Sequence, residues 1–256
     1  MTQHPPESPP AAALIARDIG KSYPLGEAEI EILHGVSLTL WPQQIVAVMG
    51  PSGSGKSTLL YCLAGLEAPT AGDVILAGSS LGARSRTELA RLRRRQVGFV
   101  FQSYNLIPTL TARENVLLSY TLDRRKPAPG LADQVLAAVG IEGRADARPP
   151  SMSGGEQQRV ALARVLAQQP EIIFADEPTG ALDTSTGERV LAELVRIAHS
   201  PGRCVLVVTH DPRVAAACDR VVFISDGRLV DEIAPASAAE VATKLAGLED
   251  AARTAE

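Results

Sequence analysis

Residues 50–58, GPSGSGKST, fit the spacing G-x-x-x-x-G-K-[ST] and lie between a short apolar run, IVAVM, and a stretch of helical spacing, TLLYCLAGL. Glycines there let the backbone curl so that successive N–H groups face phosphate oxygens. The cradle would comprise Gly50, Pro51, Ser52, Gly53, Ser54, Gly55, Lys56, Ser57 and Thr58. Lys56 would reach the β- and γ-phosphates of a nucleotide, and the Ser57 hydroxyl would ligate Mg²⁺. A second apolar run, EIIFADE at 171–177, ends in two carboxylates. Asp176 suits an outer-sphere contact to Mg²⁺, which leaves Glu177 to orient or deprotonate a water attacking the γ-phosphate. Two adjacent carboxylates with separate tasks, and no acceptor site, point to hydrolysis rather than transfer. A third stretch, SMSGGEQQR at 151–159, places Ser153 and two glycines before the helical pattern VALARVLA. It forms a second anion-binding end, with free N–H groups and a positive dipole. The chain thus carries two phosphate cradles about a hundred residues apart.

The elements that must position these residues can be read from periodicity. Residues 13–23 and 30–41 alternate apolar and polar and predict antiparallel strands of a small β layer. Buried parallel strands are expected at 45–49, 97–101, 171–175 and 204–208, each near a helical pattern, which gives an α/β fold with a mainly parallel sheet. Between the second and third of these runs the residues 111–122, 131–140 and 155–168 read as helices, so a helical lobe at about 103–155 interrupts the α/β core. Asp-Gly within VVFISDGRLVDE signals a hairpin. Residues 1–12 read as a disordered Pro-rich tail without the layout of a signal peptide, and 236–256 as a C-terminal helix or tail.

At 256 residues the chain can build one sizeable domain or two small lobes. Its formal net charge of −4 argues against a general nucleic-acid binder, and no apolar run reaches the roughly 18–20 residues that span a bilayer. Cys62, Cys204 and Cys218 form no CxxC pair and read as inert thiols in a reducing compartment. The basic stretch RSRTELARLRRRQ, 84–96, has three readings: a solvated amphipathic helix, a nucleic-acid patch, or a face near anionic lipid headgroups. It lacks interleaved aromatics for stacking on bases.

Ser-Gly-Gly before a helix, 23 residues ahead of an Asp-Glu pair and combined with the first cradle, resembles the nucleotide-binding subunit of an ABC transporter over roughly residues 13–235. The resemblance implies a P-loop NTPase (RecA-like) core, with ATP and Mg²⁺ as cofactors. Gln102 in VFQSYN matches the Q-loop, a ligand for Mg²⁺ or water and a hinge to the helical lobe. MSGGE, 152–156, matches the signature motif, with Met152 for Leu and Glu156 for Gln. Ala181-Leu182-Asp183 matches the D-loop, with Asp183 also suited to cap the following helix, and His210 matches the switch histidine that contacts the γ-phosphate. Tyr23 stands where the family stacks an aromatic on adenine. Gln43-Gln44 departs from the usual Gly-Glu before the P-loop strand, which puts the local turn in question.

The same resemblance answers for the second cradle. Two copies, as a homodimer, or one copy with a close relative, would face each other head to tail. ATP would then lie between Lys56 of one copy and Ser153, Gly154, Gly155 and Glu156 of the other. A separate membrane permease would dock near Gln102–Val116, holding the chain at the cytoplasmic side, peripheral on the inner face of the membrane. No nucleic-acid partner is implied. The stretches around Gln102, after Gly154 and after Glu177 look most like the lipoprotein-release and macrolide-export (LolD/MacB-type) group. The alternative is an ABC ATPase of a non-transport membrane complex, of cell-division or assembly type, or a soluble factor.

Overall fold

A computed structural model describes residues 11–26, 28–180, 182–234 and 237–255, the last four without their side chains. The tail expected at 1–12 lies outside these as far as residue 10, and so does Ala181. The chain opens with two long strands, β1 (Leu14–Leu25) and β2 (Ala28–Leu40), paired antiparallel with Leu14 opposite Leu40. Then come β3 (Gln44–Met49) and α1 (Lys56–Leu63). β4 (Ala71–Leu76) and β5 (Ser79–Ser80) return to the first layer, whose order is β2-β1-β4-β5. Periodicity alone does not predict these two strands. AGDVIL is short and begins with Ala-Gly, so its alternation is visible mainly once β1 supplies a partner.

α2 (Arg86–Gln96) leads into β6 (Val97–Phe101). From Gln102 to Glu171 no strand occurs. α3 (Ala112–Val116), α4 (Leu118–Leu122), α5 (Leu131–Ala138) and α6 (Gly154–Gln168) fill the interval. The single helix expected at 111–122 is therefore two, broken at Leu117 (φ −89°, ψ 6°). Immediately before the break, buried Asn115 turns its amide back onto the carbonyls of Ile107, Leu110 and Thr111.

The second half runs β7 (Ile172–Asp176), α7 (Thr184–Ala198), β8 (Cys204–Val208), α8 (Pro212–Ala216), β9 (Arg220–Ser225), β10 (Arg228–Ile233) and α9 (Ala238–Ala255). The central sheet has the order β10-β9-β3-β8-β7-β6 and is parallel except for the β9–β10 hairpin. Both faces of this sheet are buried. Val46, Val48, Phe174 and Leu206 face the antiparallel layer and α1, whereas Ile45, Ala47, Ile173 and Val205 face the second core with α7 and α8. That explains why the strands read as continuous apolar runs, each fully buried Val, Leu or Ile contributing about 1.5–3 kcal/mol. A third cluster, with Val116, Leu136, Met152 and Val160, is the core of the helical lobe. Met152 fills a buried position there, so its exchange for Leu is absorbed as an apolar swap.

Pro42 and Gln43 make the turn before β3. Gln43 takes φ 61°, the left-handed region a glycine would occupy at lower cost, and its N–H donates to the Arg203 carbonyl. The basic stretch is a helix capped by a reciprocal Ser85–Glu88 box, and most of its charge near the C-terminal end is committed internally. Arg93 donates to the Gly65 carbonyl, while Arg94 and Arg95 grip Asp123 at 2.8 and 2.9 Å. Those two contacts tie α2 to the helical lobe, while Arg86 and Arg91 are exposed with no ion-pair partner among the described residues. Cys62, Cys204 and Cys218 are buried, and burial pushes their thiols up to about 11, 12 and 12. No helix among the described residues is long and apolar enough to cross a membrane.

Candidate nucleotide site

Strand register assembles the site. Val48 lies beside Val208, Val208 beside Asp176, and Asp176 beside Phe101. The residues that follow, toward the loop at 50–55, Thr209-His210, Glu177 and Gln102, therefore emerge in a row at the C-terminal edge of the sheet. That edge is where open α/β sheets bind ligands.

The first cradle has the backbone that the spacing requires. Gly53 and Gly55 adopt φ 80° and 96°, and α1 starts at Lys56 with its N-terminus at the loop. A Cβ on Gly50 would lie 2.0 Å from the Ile224 carbonyl oxygen, so the loop leaves β3 where only glycine fits. Lys56 Nζ bridges the loop, donating to the carbonyls of Gly50 and Pro51 at 2.8 and 2.7 Å. Burial pushes the Lys56 ammonium down, against the charges of Glu177, Asp176 and Glu249. Ser54 is buried beneath the loop, its carbonyl accepting the Gly227 N–H.

A cavity of about 730 Å³ opens over the cradle. Of the residues expected from the sequence, Tyr23, Gly50, Ser52, Gly53, Gly55, Lys56, Ser57, Thr58, Glu177 and His210 line it. Two more were not anticipated, Ile32 and Glu249. Ile32 lies two residues beyond Ile30, the cross-strand partner of Tyr23, so alternation in EIEIL could have found it. Glu249 comes from α9 and has no local signal. Tyr23 donates its hydroxyl to Glu67, and Lys21 Nζ sits 4.8 Å from its ring centroid. Burial and the Glu67 carboxylate push the Tyr23 phenol up to about 12.

Glu177 sits in the left-handed region, φ 47°, a strained conformation for a residue with a side chain, held by its N–H to the Val208 carbonyl. Its Oε1 accepts the His210 backbone N–H at 3.0 Å and lies 2.6 Å from His210 Nδ1, while Oε2 accepts the Thr209 hydroxyl at 3.2 Å. The two groups expected to act on the γ-phosphate side are thus joined. Asp176, half-buried, has its carboxyl pushed up by burial and by Glu177, with Lys56 pulling the other way. A cation there would favour its ionised form. Ser57, Asp176 and Gln102 carry hard oxygen donors of the kind Mg²⁺ takes; Ser57 lines the cavity and Asp176 and Gln102 do not, and no cluster of three or more His, Cys, Asp or Glu that could hold a metal occurs among the described residues. Such a small donor set suits a cation shared with phosphate oxygens.

Other expected residues stand apart from the cavity. Gln102 is exposed beside Gly180, on the loop that follows Glu177. Asp183 caps α7, accepting the Thr186 N–H at 3.0 Å and the Ser185 hydroxyl at 2.7 Å, which hold its carboxyl at about 2. Ser153, Gly154, Gly155 and Glu156 form the start of α6. There Ser153 Oγ accepts the Glu156 N–H, and Glu156 accepts the Ser153 N–H at 2.7 Å and pairs with Arg144 at 2.9 Å. The Ser153 backbone N–H is the main cause holding the Glu156 carboxyl down. None of these four residues lines the cavity over Lys56, so one chain does not bring its two cradles together. α6 is nonetheless tied to the Glu177 loop, because Gln158 donates to the Pro178 carbonyl at 2.7 Å.

The segment after Gln102 is pinned from two sides. Arg164 of α6 donates to the carbonyls of Tyr104 and Asn105, and Asn115 Oδ1 accepts the Ile107 N–H at 2.7 Å. Ile107 remains partly exposed on this braced loop.

Comparison with known proteins agrees with this geometry. The family model described as ABC transporter matches residues 33–180. The lipoprotein-releasing system ATP-binding protein LolD 1 of Rhodospirillum rubrum is 43% identical over 223 residues, covering 86% of this chain and 99% of that protein. The macrolide export ATP-binding/permease protein MacB of Marinobacter nauticus is 44% identical over 225 residues, 87% of this chain, which spans only 35% of the MacB length. Among solved structures, the ATP-binding cassette MJ0796, in a dimeric post-hydrolysis state bound to ADP and Pi, superposes with a TM-score of 0.81 at 40% identity, covering 88% of this chain and 99% of that one. With a matched model over more than half its length, and a fold and strand-end loop order that accord with it, the chain belongs to the ABC transporter family.

Proposed function

We propose that this chain is the ATP-binding and ATP-hydrolysing subunit of a LolD/MacB-type ABC transporter, working as a head-to-tail dimer on a separate membrane permease. The observation that carries the proposal is the convergence of Lys56, Glu177 and His210 on one cavity at the strand ends, above a glycine cradle that excludes larger residues. Lys56 holds loop carbonyls in the structure; with nucleotide it would exchange them for phosphate oxygens. Ser57, Gln102 and Asp176 would hold Mg²⁺, which when bound neutralises charge on the phosphates.

Glu177 would orient the attacking water and take its proton, with His210 keeping the carboxylate in place and reaching the terminal phosphate. Tyr23 and Ile32 would form the shelf for the base. The start of α6, where a capping box engages the Ser153 and Glu156 N–H groups within the chain, would exchange those contacts to close over a nucleotide bound to the other copy. A ligand that touches both halves favours the closed dimer by mass action, and hydrolysis removes that bias. The braced loop from Tyr104 to Thr111 would pass the closure to the permease, which would hold the chain at the inner face of the membrane.

The test is membrane recruitment together with turnover. The tagged chain should sediment with membranes and hydrolyse ATP when its permease is present, and become soluble when the permease gene is deleted. Retention on membranes without any permease, or absence of Mg²⁺-dependent hydrolysis, would refute the proposal.

A further inference from the structure

The nucleotide cavity has one wall that no motif supplies. α9 packs its stripe of Val241, Leu245 and Leu248 against the second core, with Val241 and Leu245 buried. An ion pair between Lys244 and Asp231 of β10 fixes its rotation. In a helix, Glu249 follows Leu245 by four residues and lies at the edge of that buried stripe rather than on the solvent side. It is half-buried and lines the cavity with Lys56, Glu177 and His210. The position is set by core packing of a helix some seventy residues beyond the Asp-Glu pair, so it belongs to the fold and not to the cradle.

The cavity must accept a polyanion, yet Glu249 places a negative charge within it. Its charge is one of those that act on Lys56. We infer that Glu249 is a further residue of the nucleotide site, a tethered anion that competes with the triphosphate for the Lys56 end of the cavity and weakens binding. The inference rests on the reading that this cavity takes the triphosphate. A fixed like charge opposes the incoming phosphates, and the opposition falls as salt screens it. A carboxylate that instead helped to hold the nucleotide, through water or a cation, would act with the opposite sign.

The test uses the full-length chain and titrates ATP in the absence of permease, at low and high salt. Glu249→Gln removes the charge and keeps the shape; Glu249→Asp keeps the charge. We expect Glu249→Gln to tighten ATP binding about two- to fivefold at low salt, the range for a partly exposed charge interaction. The gain should shrink at high salt, Glu249→Asp should bind like the unmodified chain, and the melting temperature should not move. Unchanged or weaker binding by Glu249→Gln would overturn the inference, as would an equal effect of Glu249→Asp. Lys56→Ala serves as the control. If it binds ATP normally, the reading of the cavity itself fails; if it loses binding while Glu249→Gln has no effect, only the role of Glu249 fails.

Discussion

Replacing Glu177 by glutamine separates chemistry from architecture at this site. Glu177 makes three contacts, to the His210 N–H at 3.0 Å, to His210 Nδ1 at 2.6 Å and to the Thr209 hydroxyl at 3.2 Å. Glutamine has the same shape. Its carbonyl oxygen can accept from both His210 groups, and its amide can donate to Thr209 Oγ1, which already accepts the Asp211 N–H at 3.0 Å. Since a typical hydrogen bond contributes about 0.5–1.5 kcal/mol net and none need be lost, stability should change by no more than about 1 kcal/mol. The lost base is a different matter. General-base assistance contributes about 10²- to 10⁴-fold in rate, or about 2.7–5.4 kcal/mol of barrier, and an amide cannot supply it. Glu177→Gln should therefore melt as the parent does, bind ATP, and turn over at least about a hundredfold more slowly. The assay is steady-state phosphate release beside thermal unfolding, with size measured by light scattering in ATP. A dimer that accumulates with ATP and does not turn over fits the reasoning. Turnover within about threefold of the parent would refute the role of Glu177 as base.

Two further predictions concern the supports of the site. Asn115→Ala removes the partner of the Ile107 N–H and of three carbonyls, and should cost about 1–3 kcal/mol in denaturant unfolding. It should leave ATP binding intact while reducing stimulation of hydrolysis by the permease, because the braced loop lies away from the cavity. Asp123, whose side chain is 3% exposed, is held at about 2 by hydrogen bonds from Arg94 and Arg95, below the ordinary aspartate value of about 3.9. A depressed carboxyl contributes stability above its unfolded value and loses it as pH falls through the folded one. The stability gap between the parent and Asp123→Asn should therefore be full above about pH 4 and close toward pH 2, read from unfolding curves across that range.

What the sequence revealed and what it hid divide along a physical line. The cradle at 50–58 and the Asp176-Glu177 pair were legible because their chemistry fixes residue type at short spacing, and parallel strands bring their ends to one edge; His210 was legible only through the family resemblance. The central strands were legible because burial on both faces leaves an unbroken apolar run. β4 and β5 were not, since a short strand beginning with Ala-Gly gains its identity from pairing with β1. The helix at 111–122 looked continuous because periodicity does not register the side-chain bonds of Asn115 that precede the break at Leu117. Charge in the 84–96 stretch was obvious, but its meaning depended on Asp123 and the Gly65 carbonyl, both about 28 residues away. Glu249 reaches the cavity through the packing of Val241 and Leu245, a tertiary fact with no local trace.

The central claim is that each nucleotide lies between the cradle of one copy and the start of α6 of another. The direct measurement is ATP binding and ATP hydrolysis by Ser153→Arg, with the oligomeric state of the Glu177→Gln chain carrying the same change. The account predicts monomer binding within about twofold of the parent, hydrolysis abolished, and no ATP-dependent dimer. Binding and hydrolysis lost together in a chain that still folds, or a monomer that hydrolyses at the parent rate, would contradict it.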